Sequence, residues 1–236
     1  QVNDSSEIYL IDCLQIKEPR ETCSFLSSPD PKKIFHSCRE DIEAIYSWTN
    51  KGVLNIYDTQ IANSLLGGTY SISYQALVKE KIGLKVSKDE TRTNWLKRPL
   101  TEAQLNYAAS DVYYLIDLYR LQREEFSKTN KLEWLEEELN SPPSLNTFTK
   151  LSSEKIFNIT KKEEREILSE FNTIVEKTSR IEDINSTLFF SKHNQKILLG
   201  NTLTVGVENA LKGITEWRRS LIRIPFSRLM KDFRVL

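Results

Sequence analysis

The chain is poor in the side chains that build the commoner metal and redox sites. It has three cysteines, Cys13, Cys23 and Cys38, with no Cys-x-x-Cys spacing among its 236 residues. An odd, scattered set excludes a zinc ribbon or a disulfide framework and fits the reduced thiols of a cytoplasmic protein. Only two histidines, His36 and His193, are present, which excludes a histidine-rich metal centre. No apolar run reaches the roughly 18 residues that a membrane span needs. The start carries no basic n-region, apolar h-region and cleavage site. Net charge is also missing: 33 Lys and Arg balance 33 Asp and Glu. No global field draws this chain to nucleic acid, so any such binding comes from local patches. What is present is 39% hydrophobic and 28% charged residues, enough for one large or two small domains.

Strand and helix signals alternate in the first half, which argues an α/β architecture. Ile8-Tyr9-Leu10-Ile11, Lys33-Ile34-Phe35-His36 and Leu54-Asn55-Ile56-Tyr57 read as strands. Helices are expected from Pro19 to Ser28, from Arg39 to Trp48 with Ile42, Ile45, Tyr46 and Trp48 inward and Gly52 as its stop, from Asp58 to Leu66, and from Tyr74 to Ile82. Beyond Lys131 the character changes. Glu136-Glu137-Glu138 and Asn140-Ser141-Pro142-Pro143-Ser144 read as a linker. The remainder reads helical, over Lys161 to Thr178 and roughly Thr204 to Ile222, with Phe189 to Leu203 open between helix, strand and loop. Gln1-Val2-Asn3-Asp4 reads as the end of a strand running into a turn, and the last residues stop inside an amphipathic pattern. The expectation is a fragment at both ends.

The strongest helix signal begins at Thr101. Thr101 and Gln104 are spaced for a capping box, with Leu100 and Leu105 as its hydrophobic staple. Apolar residues recur from Leu105 through Ala108, Val112, Leu115 and Tyr119, and the helix is expected to run unbroken to about Thr129. Tyr107 and Asp111 stand four apart and share the other face with Tyr114 and Leu118. A carboxylate in such apolar company needs a partner, a metal or a proton. Two readings stand: Asp111 pairs with a neighbouring Arg or Lys while Tyr107 packs, or Asp111 holds a divalent metal while Tyr107 positions a water.

Four blocks then line up in order. They are His36-Ser37-Cys38-Arg39-Glu40-Asp41-Ile42-Glu43, Tyr57-Asp58-Thr59-Gln60-Ile61-Ala62, Glu90-Thr91-Arg92-Thr93-Asn94-Trp95-Leu96-Lys97-Arg98-Pro99-Leu100 and Tyr107-Ala108-Ala109-Ser110-Asp111. Together they closely resemble the ribonuclease D family, in the tyrosine subgroup of the DEDD exonuclease superfamily. The resemblance implies an RNase H-like three-layer fold over residues 1 to 130, lacking its N-terminal strands. It implies 3′→5′ hydrolysis of RNA 3′ ends, tRNA precursors above all, with two divalent ions, Mg²⁺ or Mn²⁺. Asp41 maps onto the second motif and Tyr107 with Asp111 onto the third. Asp111 would ligate the metal carrying the attacking water, Tyr107 would orient that water, and Asp41 would serve the second metal. His36, Arg92, Trp95 and Arg98 are substrate-binding candidates. For His36 the alternative is packing or hydrogen bonding; for Arg92 and Arg98, loop anchoring; for Trp95, a core position. Asp58 is expected to cap its helix.

The first family motif, Asp-x-Glu on a strand, has no counterpart, and the resemblance places it ahead of Gln1. Asp4, Glu7 and Asp12 lie in the wrong blocks to replace it. The expectation is a chain inactive and poorly stable alone. A second, weaker resemblance covers residues 207–236: Ile214-Thr215-Glu216-Trp217-Arg218-Arg219 through Ile224-Pro225-Phe226-Ser227-Arg228 looks like the opening of a helical nucleic-acid-binding HRDC domain. Its Arg218, Arg219, Arg223, Arg228, Lys231 and Arg234 would bind phosphates, or form a solvated face. Residues 131–206 are expected to be a mostly helical connecting region. The alternatives to an exoribonuclease are a non-catalytic RNA-binding relative and a 3′-5′ DNA exonuclease. No membrane and no obligate protein partner are implied.

Overall fold

The computed structural model describes residues 1–86, 93–140 and 160–233. They form two compact units: residues 1–63 with 71–129, and residues 64–70 with 130–236.

The first unit is α/β. β1 (Val2–Asn3) pairs antiparallel with β2 (Ile8–Tyr9), and the turn between them is held by the Asp4 carboxylate, which accepts the Ser6 and Glu7 amides at 2.9 and 2.8 Å. α1 (Pro19–Thr22) and a 3₁₀ turn (Ser24–Ser27) follow. β3 (Lys33–Phe35) pairs in parallel with β4 (Ile56–Asp58), in register Ile34 with Tyr57. The crossover a parallel pair requires is α2 (Arg39–Thr49). Among the described residues the two sheets share no strand pairing. α2 buries less than its sequence suggests: Tyr46 is 56% exposed, while Ile42, Ile45 and Trp48 are only partly covered. It stops at Asn50, not Gly52. Asn50 takes the left-handed conformation (φ 53) and donates its amide to Tyr46, a capping role that asparagine shares with glycine.

α3 (Thr59–Leu65) and α4 (Tyr74–Ile82) stand where the sequence places them. The capping box forms as read: Thr101 Oγ1 accepts the Gln104 amide and Gln104 Oε1 accepts the Thr101 amide, opening α5 (Glu102–Tyr113). The long helix then departs from its periodicity. It breaks at Tyr114, and α6 (Leu115–Ser127) continues from there. α5 packs on β1 and β2, and α6 on β3 and α4. Ile72, Tyr74, Leu77, Val78, Leu115 and Leu118 form a buried core between α4 and α6.

The second unit is all helical among its described residues: α7 (Leu132–Asn140), α8 (Lys161–Ile181), α9 (Ser186–Phe190), α10 (Lys192–Val205), α11 (Val207–Leu211) and α12 (Glu216–Asp232). Its core is aromatic, with Phe171 between Phe190 and Phe226 at centroid distances of 5.6 and 4.7 Å. Three sequence expectations are corrected here. The acidic run at 136–138 lies inside α7. Glu138 is buried and receives Arg218 of α12 as a fork, at 2.6 and 3.0 Å. The single helix expected over 204–222 is interrupted at Gly206 (φ 80), and α12 runs on through Pro225, its buried Phe226, Leu229 and Met230 holding it. Nor are all the tail arginines a free basic face. Arg218 is buried, Arg219 pairs with Glu216, and Arg223 with Glu208 at 3.1 Å. Arg234 lies outside the described residues.

Candidate functional site

Asp41 and Asp111 arrive on different helices. Asp41 is the third residue of α2, whose N-cap Cys38 provides no side-chain cap. Asp58, only 2% exposed at the end of β4, supplies the acceptors instead. Its Oδ1 accepts the Ser37 amide at 3.1 Å and its Oδ2 the Cys38 amide at 2.8 Å. Oδ1 also accepts the Gln60 and Ile61 amides at 2.8 and 3.3 Å, capping α3. One carboxylate thus ties together the starts of two helices, satisfying amides that would otherwise be orphaned. It also holds Ser37, a non-glycine residue in the left-handed region (φ 61), a conformation that persists only when its surroundings fix it. The sequence offered Asp58 as a cap for its own helix; the reach back to α2 spans 20 residues and had no local signal.

Asp111 lies one turn after Tyr107 on α5. The helix ends shortly beyond it because the Tyr74 hydroxyl enters the ladder. Tyr74 Oη donates to the Ser110 carbonyl and accepts the Tyr114 amide, each at 3.0 Å. The Val112 carbonyl, which also accepts the Tyr114 amide, and the Tyr113 carbonyl each take a hydrogen bond from the Asn3 side-chain amide, both at 3.2 Å. This is why the hairpin β1–β2 sits on the C-terminal end of α5.

Both carboxyls are shifted in the same direction. Burial is the leading cause that pushes the Asp111 carboxyl above the ordinary aspartate value. Asp41 is also pushed upward, first by crowding of its carboxyl, then by the charges of Asp58 and Glu40, although the residue keeps an open side to solvent. Among the described residues neither carboxylate has a hydrogen-bond or ion-pair partner at bonding distance, so the Arg or Lys partner considered for Asp111 is not found there. Two acids raised by burial and without a protein cation suit a hard divalent ion such as Mg²⁺ or Mn²⁺. They are only two: among the described residues no group of three or more His, Cys, Asp or Glu side chains could hold a metal.

The remaining candidates divide. His36 is committed within the fold: Nδ1 meets Thr59 Oγ1 and Nε2 meets the Ile72 carbonyl, both at 2.9 Å, and burial lowers its pKa. Trp95 stands beside Tyr107, ring centroids 6.0 Å apart and tilted by 50°. Arg98 makes a fork to Asp12, two bonds of 2.7 Å, and donates to the Trp95 carbonyl at 2.8 Å. It anchors the loop that carries Trp95. Asp12, set aside in the sequence because it falls in the wrong block, is the other half of that anchor; the Arg98 guanidinium holds its carboxyl down at about 2. Arg92 lies outside the described residues.

Residues 1–125 match a family model described as 3′-5′ exonuclease. Ribonuclease D of Shewanella sp. (strain ANA-3) is 38% identical over 138 residues, which are 58% of this chain and 36% of that protein. Ribonuclease D of Haemophilus influenzae is 37% identical over 129 residues, 55% of this chain and 32% of the relative. The chain therefore spans about a third of the length of the curated relatives it matches. The crystal structure of Escherichia coli RNase D, titled an exoribonuclease involved in structured RNA processing, superposes with a TM-score of 0.54 at 20% identity, covering 99% of this chain and 64% of that one. That likeness shows the fold: an α/β exonuclease core followed by helices.

Proposed function

The chain belongs to the 3′-5′ exonuclease family, whose model matches residues 1–125, and from that premise we propose that it carries part of a ribonuclease D-type site that removes nucleotides from RNA 3′ ends, with tRNA precursors as the substrate class. The reading takes residues 1–130 as the exonuclease domain, 131–206 as connecting helices and 207–236 as the start of an HRDC-like module.

Asp41 and Asp111 are the ligands this chain offers to divalent ions. When bound, such ions supply a strong nucleophile at neutral pH and neutralise charge on the scissile phosphodiester. Tyr107, one turn from Asp111, orients the attacking water through its phenol. Asp58 fixes the helix start that aims Asp41. Trp95, held at Tyr107 by Arg98 and Asp12, offers a ring face to a single-stranded 3′ end. Two carboxylates are too few to bridge a metal pair about 3.5–4 Å apart. The family's other two acids, on an Asp-x-Glu strand, belong by the resemblance ahead of Gln1.

One observation carries the reading: two carboxylates from separate helices, Asp41 and Asp111, both raised by burial and neither paired among the described residues. A second reading, a non-catalytic RNA-binding relative, is favoured by the lack of a third ligand among the described residues. The experiment that separates them adds Mn²⁺ and a 3′-extended RNA to the 236-residue chain, and to the same chain behind an Asp-x-Glu strand. The first leaves the RNA intact. The second trims it from the 3′ end, and Asp111→Asn abolishes the trimming. Trimming that survives Asp111→Asn, or none by the extended chain, overturns the proposal. A DNA oligonucleotide run in parallel reports any dependence on the 2′-hydroxyl.

A further inference from the structure

Both ring nitrogens of His36 are spent inside the fold, and the protons of that network do not suffice for a neutral ring. Nε2 faces the Ile72 carbonyl at 2.9 Å, a carbonyl that also accepts Gln60 Nε2 at 2.9 Å. A carbonyl cannot donate, so Nε2 carries the proton of the neutral imidazole. Nδ1, left as an acceptor, meets Thr59 Oγ1 at 2.9 Å. The same hydroxyl donates to the Phe35 carbonyl at 3.0 Å. Thr59 has one hydroxyl proton and, beside a neutral ring, two acceptors to serve. Thr59 is 0% exposed, and an acceptor left unmet beside it is costly.

An imidazolium removes the conflict. Nδ1–H then donates to Thr59 Oγ1, whose own proton is free for Phe35, and every bond forms at once. The charged group that acts on the ring is Asp58 of β4, which favours the imidazolium; burial, the larger effect, opposes it. Tyr74 of α4 meets the ring at 5.8 Å, edge to face, and Cys38 lies at the start of α2. Burial is the leading cause that pushes both the phenol and the thiol up, so neither ionises where a histidine titrates. Phe35 is the last residue of β3 and Thr59 the first of α3. The hydroxyl therefore chooses between a strand end and a ring.

We propose that His36 and Thr59 form a proton-operated switch at the junction of β3 and α3: beside a charged ring the Thr59 hydroxyl ties α3 to the Phe35 carbonyl, and beside a neutral ring it turns to the imidazole and releases that carbonyl. Neither a metal ion nor RNA takes part. Phe35 leads through His36 into the left-handed Ser37 and on to α2, so acid fastens the strand end from which α2 departs. The test follows the 236-residue chain by NMR from about pH 8 to about pH 4, across the range where histidine titrates. At the alkaline end, long-range ring-nitrogen spectra show the proton on Nε2 and none on Nδ1. The Phe35 carbonyl-carbon shift then moves with the same midpoint as the ring, in the wild-type chain and in Thr59→Ser, which keeps the hydroxyl. Thr59→Val has none. It leaves that carbonyl nearly still and lowers the His36 midpoint by about one pH unit, because the imidazolium loses one more bond than the neutral ring. A neutral ring protonated on Nδ1 overturns the proposal. So does a Phe35 carbonyl that ignores the His36 titration in the wild-type chain, or one that moves as far in Thr59→Val, since it then reports the ring charge alone.

Discussion

Asp58→Asn replaces one oxygen by NH₂ and keeps the shape, yet the geometry around the carboxylate makes it a severe substitution. Oδ1 faces three amides, those of Ser37, Gln60 and Ile61, while Oδ2 faces only the Cys38 amide. The new side chain keeps its oxygen toward the three donors and turns its NH₂ toward Cys38. Two donors then meet at the present separation of 2.8 Å. The loss includes one charge-assisted bond, a buried amide left unpaired, and the weakening of three further bonds from charged to neutral acceptor. These overlap, and together cost about 3 kcal/mol. The segment released is the left-handed Ser37, Cys38 and the first turn of α2. Cys38 is the natural reporter: it is buried, and its thiol is pushed well above the usual range, first by burial and then by the Asp58 charge. Local opening that becomes about 3 kcal/mol easier raises Cys38 alkylation by iodoacetamide on the order of 100-fold. Peptide-resolved mass spectrometry separates it from exposed Cys13, whose rate stays constant. Cys38 labelling within a few-fold of wild type would refute the idea that Asp58 holds this helix start.

Other outcomes follow from the same structure. Asp41 and Asp111 titrate above their unfolded value, so ionising them costs folding stability as pH rises through their folded pKa values; the Tm gained on adding Mn²⁺ should grow as pH rises, because protons and the ion compete for the same carboxylates. A gain independent of pH would place the ion elsewhere. The Asp12 carboxyl is depressed to about 2, so its pairing is fully present above the unfolded value of 3.8 and is lost only as pH falls through about 2. Arg98→Ala should move its NMR titration midpoint back up toward 3.8, and an unmoved midpoint would deny the pairing. In the second unit, Glu138→Ala leaves a buried guanidinium uncompensated and should cost about 3–5 kcal/mol in urea unfolding. The double change Glu138→Leu with Arg218→Met should recover most of that. Additive losses would show that the charges do not act as a pair.

The parts legible in the sequence are those with local grammar. The capping box at Thr101 and Gln104, the extent of α4, and the two strands on either side of α2 all follow from spacing and turn chemistry within a few residues. The misread parts are those decided by distant partners. A periodic stripe runs through Tyr114, and nothing in it foretells a hydroxyl entering the ladder from 40 residues away. The acidic run at Glu136 to Glu138 has linker composition, yet Glu138 is stabilised by an arginine 80 residues downstream. At the proposed site, Asp41, Tyr107 and Asp111 are named from the family resemblance, which rests on side chains. Asp58, Asp12, Asn3 and Tyr74 work on backbone groups or on other side chains, and the reach of each is visible only in three dimensions.

The clasp of Arg218 on Glu138 also sets an order of events during synthesis. Arg218 donates to the Leu188 and Phe189 carbonyls at 2.9 Å as well as to the carboxylate, so it closes three separated segments at once. Until the ribosome has delivered α12, α7 carries an acid destined for an interior that does not yet exist. Closing so long a loop is entropically slow. The helical half should therefore acquire its native packing only after its last helix emerges, and a nascent chain stalled before Arg218 should remain open to protease in α7.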